Sequence, residues 1–176
     1  MAQGKLDYSY VERFERGSIP EEVEDELLGE YAKFSLDGDM VWSDLAPFFE
    51  DLQLPAALCR LVRRDDVVLE GTVDVIDFSK IIRLTYHLLV FMDNESVINE
   101  FWSLLVGYSG RDVQFPHVEL QNHILSVKDL QKVGNLVNED SGNIIGMLSC
   151  ATRGTRVYMT YLDFANVLGK LGYLRF

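Results

Sequence analysis

The chain has 176 residues, of which 48% are hydrophobic, and it contains 10 Phe, 8 Tyr and 2 Trp. This length and composition suffice for one large domain or two small lobes with a sizeable core. The formal net charge is −12, which disfavours direct binding to phosphate backbones and suits either a basic protein partner or simple solubility.

The predicted elements begin with residues 1–17, which mix aromatic and charged residues without a clear period and predict an N-terminal tail or docking arm. The first helix should start at Ser18-Ile19-Pro20-Glu21, where Ser is a cap and Pro fits the first turn, and run to about Phe34. Two lobes are predicted, the first at residues 18–92 and the second at residues 93–176. Further helices are predicted at about 43–52, 55–64, 78–92, 95–106, 126–137, 141–151 and 160–171, with a loop insertion at about 107–124.

Two cysteines, Cys59 and Cys150, lie in apolar helical stretches. We interpret them as buried free thiols in a reducing compartment rather than as a disulfide. The sequence shows no signal peptide and no apolar run near the ~18 residues of a membrane helix. We therefore expect a soluble intracellular protein.

A six-residue pattern occurs four times, with an apolar residue at its first and last positions. Three copies have Asp, Ser or Thr second, as at helix N-caps, and three have Asp fifth. Apolar residues follow 8 and 12 positions after the first, on one side of a helix. Each copy therefore predicts a short extended stub, a cap and an amphipathic helix. The copies are Met40–Leu45, Ile76–Ile81, Leu125–Leu130 and Met159–Phe164.

This pattern is typical of the second half of an EF-hand, in which a calcium loop joins two helices. A pattern that recurs along the chain in this way should be interpreted before any other feature of the sequence. The four copies predict an all-α, mainly helical fold, with a two-lobed, calmodulin-like arrangement of four degenerate EF-hands and short β stubs in the loops.

The calcium ligands of such loops are missing. A working loop needs oxygen ligands at positions 1, 3 and 5 and a bidentate Glu at position 12. The second loop has Lys80 at position 12, and the fourth has Thr152, Gly154 and Arg156 at positions 1, 3 and 5. The first loop lacks carboxylates at positions 1 and 3, and the third is expanded. We predict no metal and no cofactor.

Two groups of residues suggest a catalytic or a zinc site as alternatives. His117, His123, Asp129 and Ser126 could form a hydrolytic set, but Ser126 is explained as a helix cap and no nucleophile elbow surrounds it. His117, Glu119 and His123 could bind zinc, but neither a Cys nor the H-E-x-x-H spacing accompanies them. We therefore predict a protein that is not an enzyme.

Binding is the function that the EF-hand pattern favours, because lobes that open expose an apolar groove for an amphipathic helix. The alternative for each groove residue is a place in a closed core. Whether the first lobe also binds a partner or packs on the second lobe is left open. The predicted partner-helix positions in the second lobe are Phe101, Leu105, Leu130, Val133, Val137, Met147, Ala151, Phe164, Val167 and Leu168.

The run Leu125–Leu130 resembles the exit from the third hand of centrins. Over about residues 8–175 the chain resembles, more specifically, the small centrin-like nucleotide excision repair proteins of budding yeasts. The stretches on which this resemblance rests are 23–26, 48–54, 110–113, 125–131, 149–152, 159–164 and 167–173.

The resemblance implies a non-enzymatic DNA-repair subunit in the nucleus, with a cytoplasmic pool left open. It implies binding to a damage-recognition factor of the xeroderma pigmentosum group C type, through a helix of that factor held in the groove. A ubiquitin-like-domain partner would belong to the same complex. Apart from the resemblance, the net charge predicts little or no direct nucleic-acid binding, and we expect no membrane binding. Calcium regulation is not carried over. A centrin-like light chain of another assembly and a metal-dependent sensor remain alternatives.

Overall fold

The computed structural model describes residues 8–137 and 141–176 and is mainly helical, as predicted. One short antiparallel pair, β1 (Leu125–Ser126) with β2 (Tyr158–Met159), is its two-stranded sheet. The α-helices are α1 (Tyr8–Arg16), α2 (Glu21–Phe34), α3 (Leu45–Asp51), α4 (Ala56–Cys59), α5 (Arg64–Val67), α6 (Phe78–Asp93), α7 (Glu95–Ser109), α8 (Arg111–Gln114), α9 (Val127–Leu136), α10 (Ser141–Thr152) and α11 (Tyr161–Lys170).

The chain divides into two compact units. The first unit comprises residues 16–93, and the second comprises residues 94–175 together with residues 8–15 of α1. These limits lie close to the predicted lobes 18–92 and 93–176. The N-terminal segment differs from the predicted tail, because residues 8–16 form a helix whose residues 8–15 belong to the second unit. The predicted tail residues 1–7 lie outside the described residues.

Helix starts in the second unit follow from local side-chain chemistry. Ser126 caps α9: its hydroxyl accepts from the Asp129 amide at 3.3 Å, and the Asp129 carboxylate accepts from the Ser126 amide at 2.8 Å. Thr160 and Asp163 form the same reciprocal pair at the start of α11. These capping boxes satisfy backbone donors that a helix N-terminus would otherwise leave free. The predicted caps at both positions are confirmed.

The same repeat positions act in the first unit with different partners. The Asp44 carboxylate accepts from the Val41 amide at 2.9 Å, so half of a capping box forms without a hydroxyl. At the start of α6 the Asp77 carboxylate accepts from the Lys80 amide at 2.9 Å. Asp in the pattern is therefore a helix-starting residue in each copy where it occurs.

The apolar residues that open the copies meet in pairs. Leu125 lies opposite Met159 in the β1–β2 pair, and the Ile76 amide donates to the Met40 carbonyl at 2.9 Å. All four side chains are buried. Each unit thus joins its two repeats through the stub before the helix, which gives that stub its β conformation.

Three predicted boundaries were wrong. Helix α2 begins at Glu21, and Ser18 does not cap it. The predicted helix at 55–64 is two short helices, because Arg63 is extended and its amide donates to Asp66, which starts α5 anew. The predicted loop at 107–124 contains the last turn of α7, then α8 and a 3₁₀ turn at Leu120–Asn122. None of the described helices has the length and hydrophobicity needed to cross a membrane.

Candidate functional site

Trp102 on α7 lies at the centre of the second unit. Its side chain is fully buried, and its indole N–H donates to the Leu120 carbonyl at 2.8 Å. Its ring contacts Phe164 at 5.4 Å and Tyr161 at 6.1 Å between centroids. The Tyr161 hydroxyl donates to Asn99 at 2.8 Å, and burial raises the pKa of Tyr161. This aromatic cluster holds α7 against α11.

The second unit is arranged as a ring of four helices. Helix α7 contacts α9, α9 contacts α10, α10 contacts α11, and α11 contacts α7. Nine of the ten predicted partner-helix residues lie on these four helices, and Val137 directly follows the last residue of α9.

The predicted residues nevertheless differ in exposure. Three are buried, and four more are partly covered. The remaining three are exposed: Phe101 is 37% exposed, and Val137 and Met147 are each 64% exposed. The buried members are Ala151, Phe164 and Leu168, and the partly covered ones are Leu105, Leu130, Val133 and Val167.

Helix α7 carries an apolar face that is only partly covered within the unit. We call it the α7 face, and its residues are related by spacings of three or four positions. The Phe101 ring on this face contacts the Tyr173 ring, with 5.7 Å between the two centroids. Ile98 and Trp102 on the same helix point into the core. Leu104 and Tyr108 were not among the predicted partner-helix positions. The α7 face comprises Val97, Phe101, Leu104, Leu105 and Tyr108.

Two arginines of the second unit form ion pairs with the Asp residues at position five of the six-residue pattern. The Arg111 guanidinium donates to the Asp129 carboxylate at 3.0 Å, and Arg156 makes a short ion pair with Asp163. All four side chains are at most 21% exposed. Sequence reasoning found Arg156 as a lost ligand, but it missed that the guanidinium reaches the carboxylate at repeat position five.

Two opposing effects act on the pKa of Asp129. Burial raises the pKa of this carboxyl, but hydrogen bonds from Ser126 and Arg111 and the charge of Arg111 together lower it by more. The pKa is therefore below its ordinary value of 3.8. The carboxylate is therefore held in its charged form as a fixed part of the loop.

Cations also reach backbone oxygens in the first unit. The Lys80 ammonium donates to the Val68 carbonyl at 3.0 Å, and the Arg64 guanidinium donates to the Val73 carbonyl at 2.9 Å. Within residues 8–137 and 141–176 no three His, Cys, Asp or Glu side chains are grouped so that they could hold a metal ion.

Ser126, a member of the catalytic alternative, acts as a helix cap in the structure. The Ser126 hydroxyl donates to the Asp129 carboxylate at 2.7 Å and accepts from the Asp129 amide, so both hydrogen bonds of this hydroxyl belong to the helix cap. His123 is buried, whereas His117 and Glu119 are exposed in the loop before β1.

Helix α1 packs on the end of α11 through glycines. A Cβ on Gly169 would lie 2.7 Å from Cδ2 of Phe14, and Phe14 is 1% exposed. The next glycine, Gly172, has a φ of +79° and faces the Tyr10 ring. An ion pair between Lys170 and Glu15 at 2.8 Å flanks this contact. Sequence reasoning missed the packing of α1 on the second unit.

Comparison with known proteins adds the family context. The sequence matches the protein family described as Rad33 over residues 62–142. It is 55% identical over 171 residues to the DNA repair protein RAD33 of Saccharomyces cerevisiae, an alignment that covers 97% of this chain and 96% of that protein. No solved structure matches the chain.

Proposed function

The chain belongs to the Rad33 family, and we propose that it acts in DNA repair as a non-enzymatic subunit of nucleotide excision repair. The observation that supports this most directly is the 55% identity to a DNA repair protein, because it extends over both units rather than over one shared motif. A role in DNA repair implies that the subunit acts in the nucleus.

The subunit works by holding another protein. Its partner is the damage-recognition factor of the xeroderma pigmentosum group C type, which acts together with a ubiquitin-like-domain protein. The contact is a helix of that factor laid on the second unit. In support, the α7 face leaves apolar side chains in water, as do Val137 just after α9 and Met147 on α10. Exposed apolar clusters of this kind mark protein interaction sites.

The fold behind this surface is a pair of degenerate EF-hand lobes. The pairing of the repeat stubs and the capped helices that follow them support this proposal. The arginine ion pairs support a lobe that keeps its shape without an ion, so partner binding does not depend on calcium. This separates the protein from a metal-dependent sensor.

Direct contact with DNA is not part of the proposed role. A chain with 28 acidic and 16 basic residues offers phosphates more repulsion than attraction. The subunit instead supports the activity or stability of the factor that does touch DNA, since ordering a partner helix stabilises the partner by mass action.

The test is calorimetric titration of the purified protein with helical peptides tiled across the C-terminal part of the damage-recognition factor. We expect one peptide to bind, and we expect the double substitution Val137→Glu, Met147→Glu to weaken that binding by at least about tenfold, or about 1.4 kcal/mol. Both side chains are exposed, so the folded state should tolerate the change.

The matched control is Val157→Glu, which also places a carboxylate at an exposed valine of the second unit. It should leave the affinity unchanged. If no peptide binds, the partner assignment fails. If a peptide binds equally to the folded double variant, the surface has been assigned wrongly, although the repair role would still stand.

A further inference from the structure

The first unit contains an open groove that the proposed function does not use. Its volume is about 760 Å³, and it lies between α3 and α4, with all of its lining residues between Trp42 and Val62. Most of its wall is apolar, with Leu45, Phe49 and Leu54 at its base. Glu50 and Arg60 are the charged side chains in the lining, and both are exposed.

The groove is accessible along one side of α3. Trp42 and Cys59 are partly exposed, and Ala46 and Ala56 are exposed. Burial raises the pKa of the Cys59 thiol to about 11, so this sulfur is a protonated apolar surface at neutral pH rather than a nucleophile. The groove is therefore suited to contact and not to covalent chemistry.

The length of the groove favours a chain segment over a small ligand. The lining residues on α3 recur at helical spacing, and Trp42 before the helix and Gln53 after it extend the row at both ends. Helix α3 has seven residues, which at about 1.5 Å per residue span roughly 10 Å, or about two helical turns. A helix lying along α3 would cover this row.

The charge of the chain is concentrated in this unit. Residues 16–93 include 17 acidic and seven basic side chains, whereas residues 94–175 include eight acidic and seven basic ones. The acidic field of the first unit attracts cationic segments and repels a second copy of the same unit.

We propose that this groove is a second docking surface, which takes a basic amphipathic helix of a protein partner. Apolar anchors at helical spacing would pack between Trp42, Phe49 and Leu54, and Lys or Arg side chains at the flanks would face the acidic unit, with Glu50 at the rim. The surface is separate from the one on the second unit and does not depend on the function proposed for it.

The two tryptophans allow each unit to be observed separately. Trp42 lines the groove, whereas Trp102 is buried in the second unit. The full chain labelled with 5-fluorotryptophan should give two ¹⁹F resonances, assigned with Trp42→Phe. The probe is a synthetic helical peptide of about 17 residues with Leu anchors, Lys and Arg flanks and no aromatic residue. Its counterparts are a peptide with Glu flanks and a scrambled basic peptide.

We expect the basic peptide to shift the Trp42 resonance saturably and to leave the Trp102 resonance in place. Ala46→Phe, which fills the groove, should weaken binding at least tenfold, whereas Ala32→Phe on the exposed side of α2 should not. Glu50→Lys should weaken binding more than Glu26→Lys, because Glu50 lines the groove. Glu26→Lys is the charge-matched control, since it makes the same charge change at another exposed helix position.

Several results would overturn the proposal. The first is a shift of Trp102 alone, which would assign the peptide to the second unit. The second is equal binding of the Glu-flanked or scrambled peptide, or no shift at all. The third is a Trp42 shift that depends on protein concentration without peptide, which would make a second copy the occupant.

Discussion

Arg111 and Arg156 each form an ion pair with an Asp of the six-residue pattern in the second unit. Each guanidinium approaches a carboxylate that already accepts bonds from a helix cap, so one Asp side chain serves two neighbours at once. Such a partly buried pair is costly to break, because the partner left behind keeps its charge in a poorly hydrated place.

We predict that Arg156→Met destabilises the protein by about 3 kcal/mol, because Asp163 stays buried without its guanidinium. Urea unfolding followed by circular dichroism measures this change. The control is Arg153→Met, an exposed arginine of the same loop, which should change the free energy of unfolding by less than about 0.5 kcal/mol. Equal effects of both substitutions would show that the ion pair contributes nothing.

Asp129 should make stability depend on pH in the acid range. Its folded pKa is lowered, so the unfolded chain takes up this proton first as the pH falls below the ordinary value of 3.8. The stabilisation is present above that value and is lost as the pH falls through the folded pKa. Asp129→Asn cannot titrate and should therefore show a shallower loss of stability as the pH falls from about 4 through the folded pKa of Asp129.

The measurement is the free energy of unfolding at each pH for the two proteins. Asp112→Asn, an exposed carboxylate in α8, is the control and should follow the unmodified protein. Parallel curves for Asp129→Asn and the unmodified protein would contradict the assigned role of the Arg111 and Ser126 contacts.

At the scale of elements, α1 and α11 depend on each other through Gly169. A methyl group at this position would meet the Phe14 ring, which is buried and has to leave its site to make room. We predict that Gly169→Ala lowers stability by roughly 1–3 kcal/mol and increases hydrogen exchange in α1.

Gly146→Ala on α10 is the matched control, because a Cβ there meets no atom within 4 Å. It should stabilise the protein by up to about 1 kcal/mol through helix propensity. A destabilised Gly146→Ala, or a Gly169→Ala protein with unchanged exchange in α1, would argue against the packing described here.

Elements also differ in how well the sequence predicts them. The caps at Ser126 and Thr160 could be predicted because the groups that bond are three residues apart. The inner side of α7 could not, since Phe101 and Trp102 are adjacent and only packing against α11 decides that Trp102 goes inside. The contact of Phe14 with Gly169 joins the two ends of the chain and leaves no periodic signal in either.

At the scale of the whole molecule, we predict that neither calcium nor zinc changes stability. A ligand at one hundred times its dissociation constant would add about 2.7 kcal/mol, which for a chain of this size raises the melting temperature by at least about 5 °C. We expect a change below about 1 °C in millimolar calcium, in micromolar zinc and in chelator. A rise of several degrees with either metal would support the sensor alternative.

The arginine ion pairs have one further consequence. A free ion exchanges with the rest of the cell, so the ion occupancy of a protein that binds it changes with the concentration of that ion. A guanidinium attached to the same chain has an effective concentration set by a few covalent bonds, and no chelator or signal can dilute it. A loop built in this way changes with mutation and not with the ionic state of the cell.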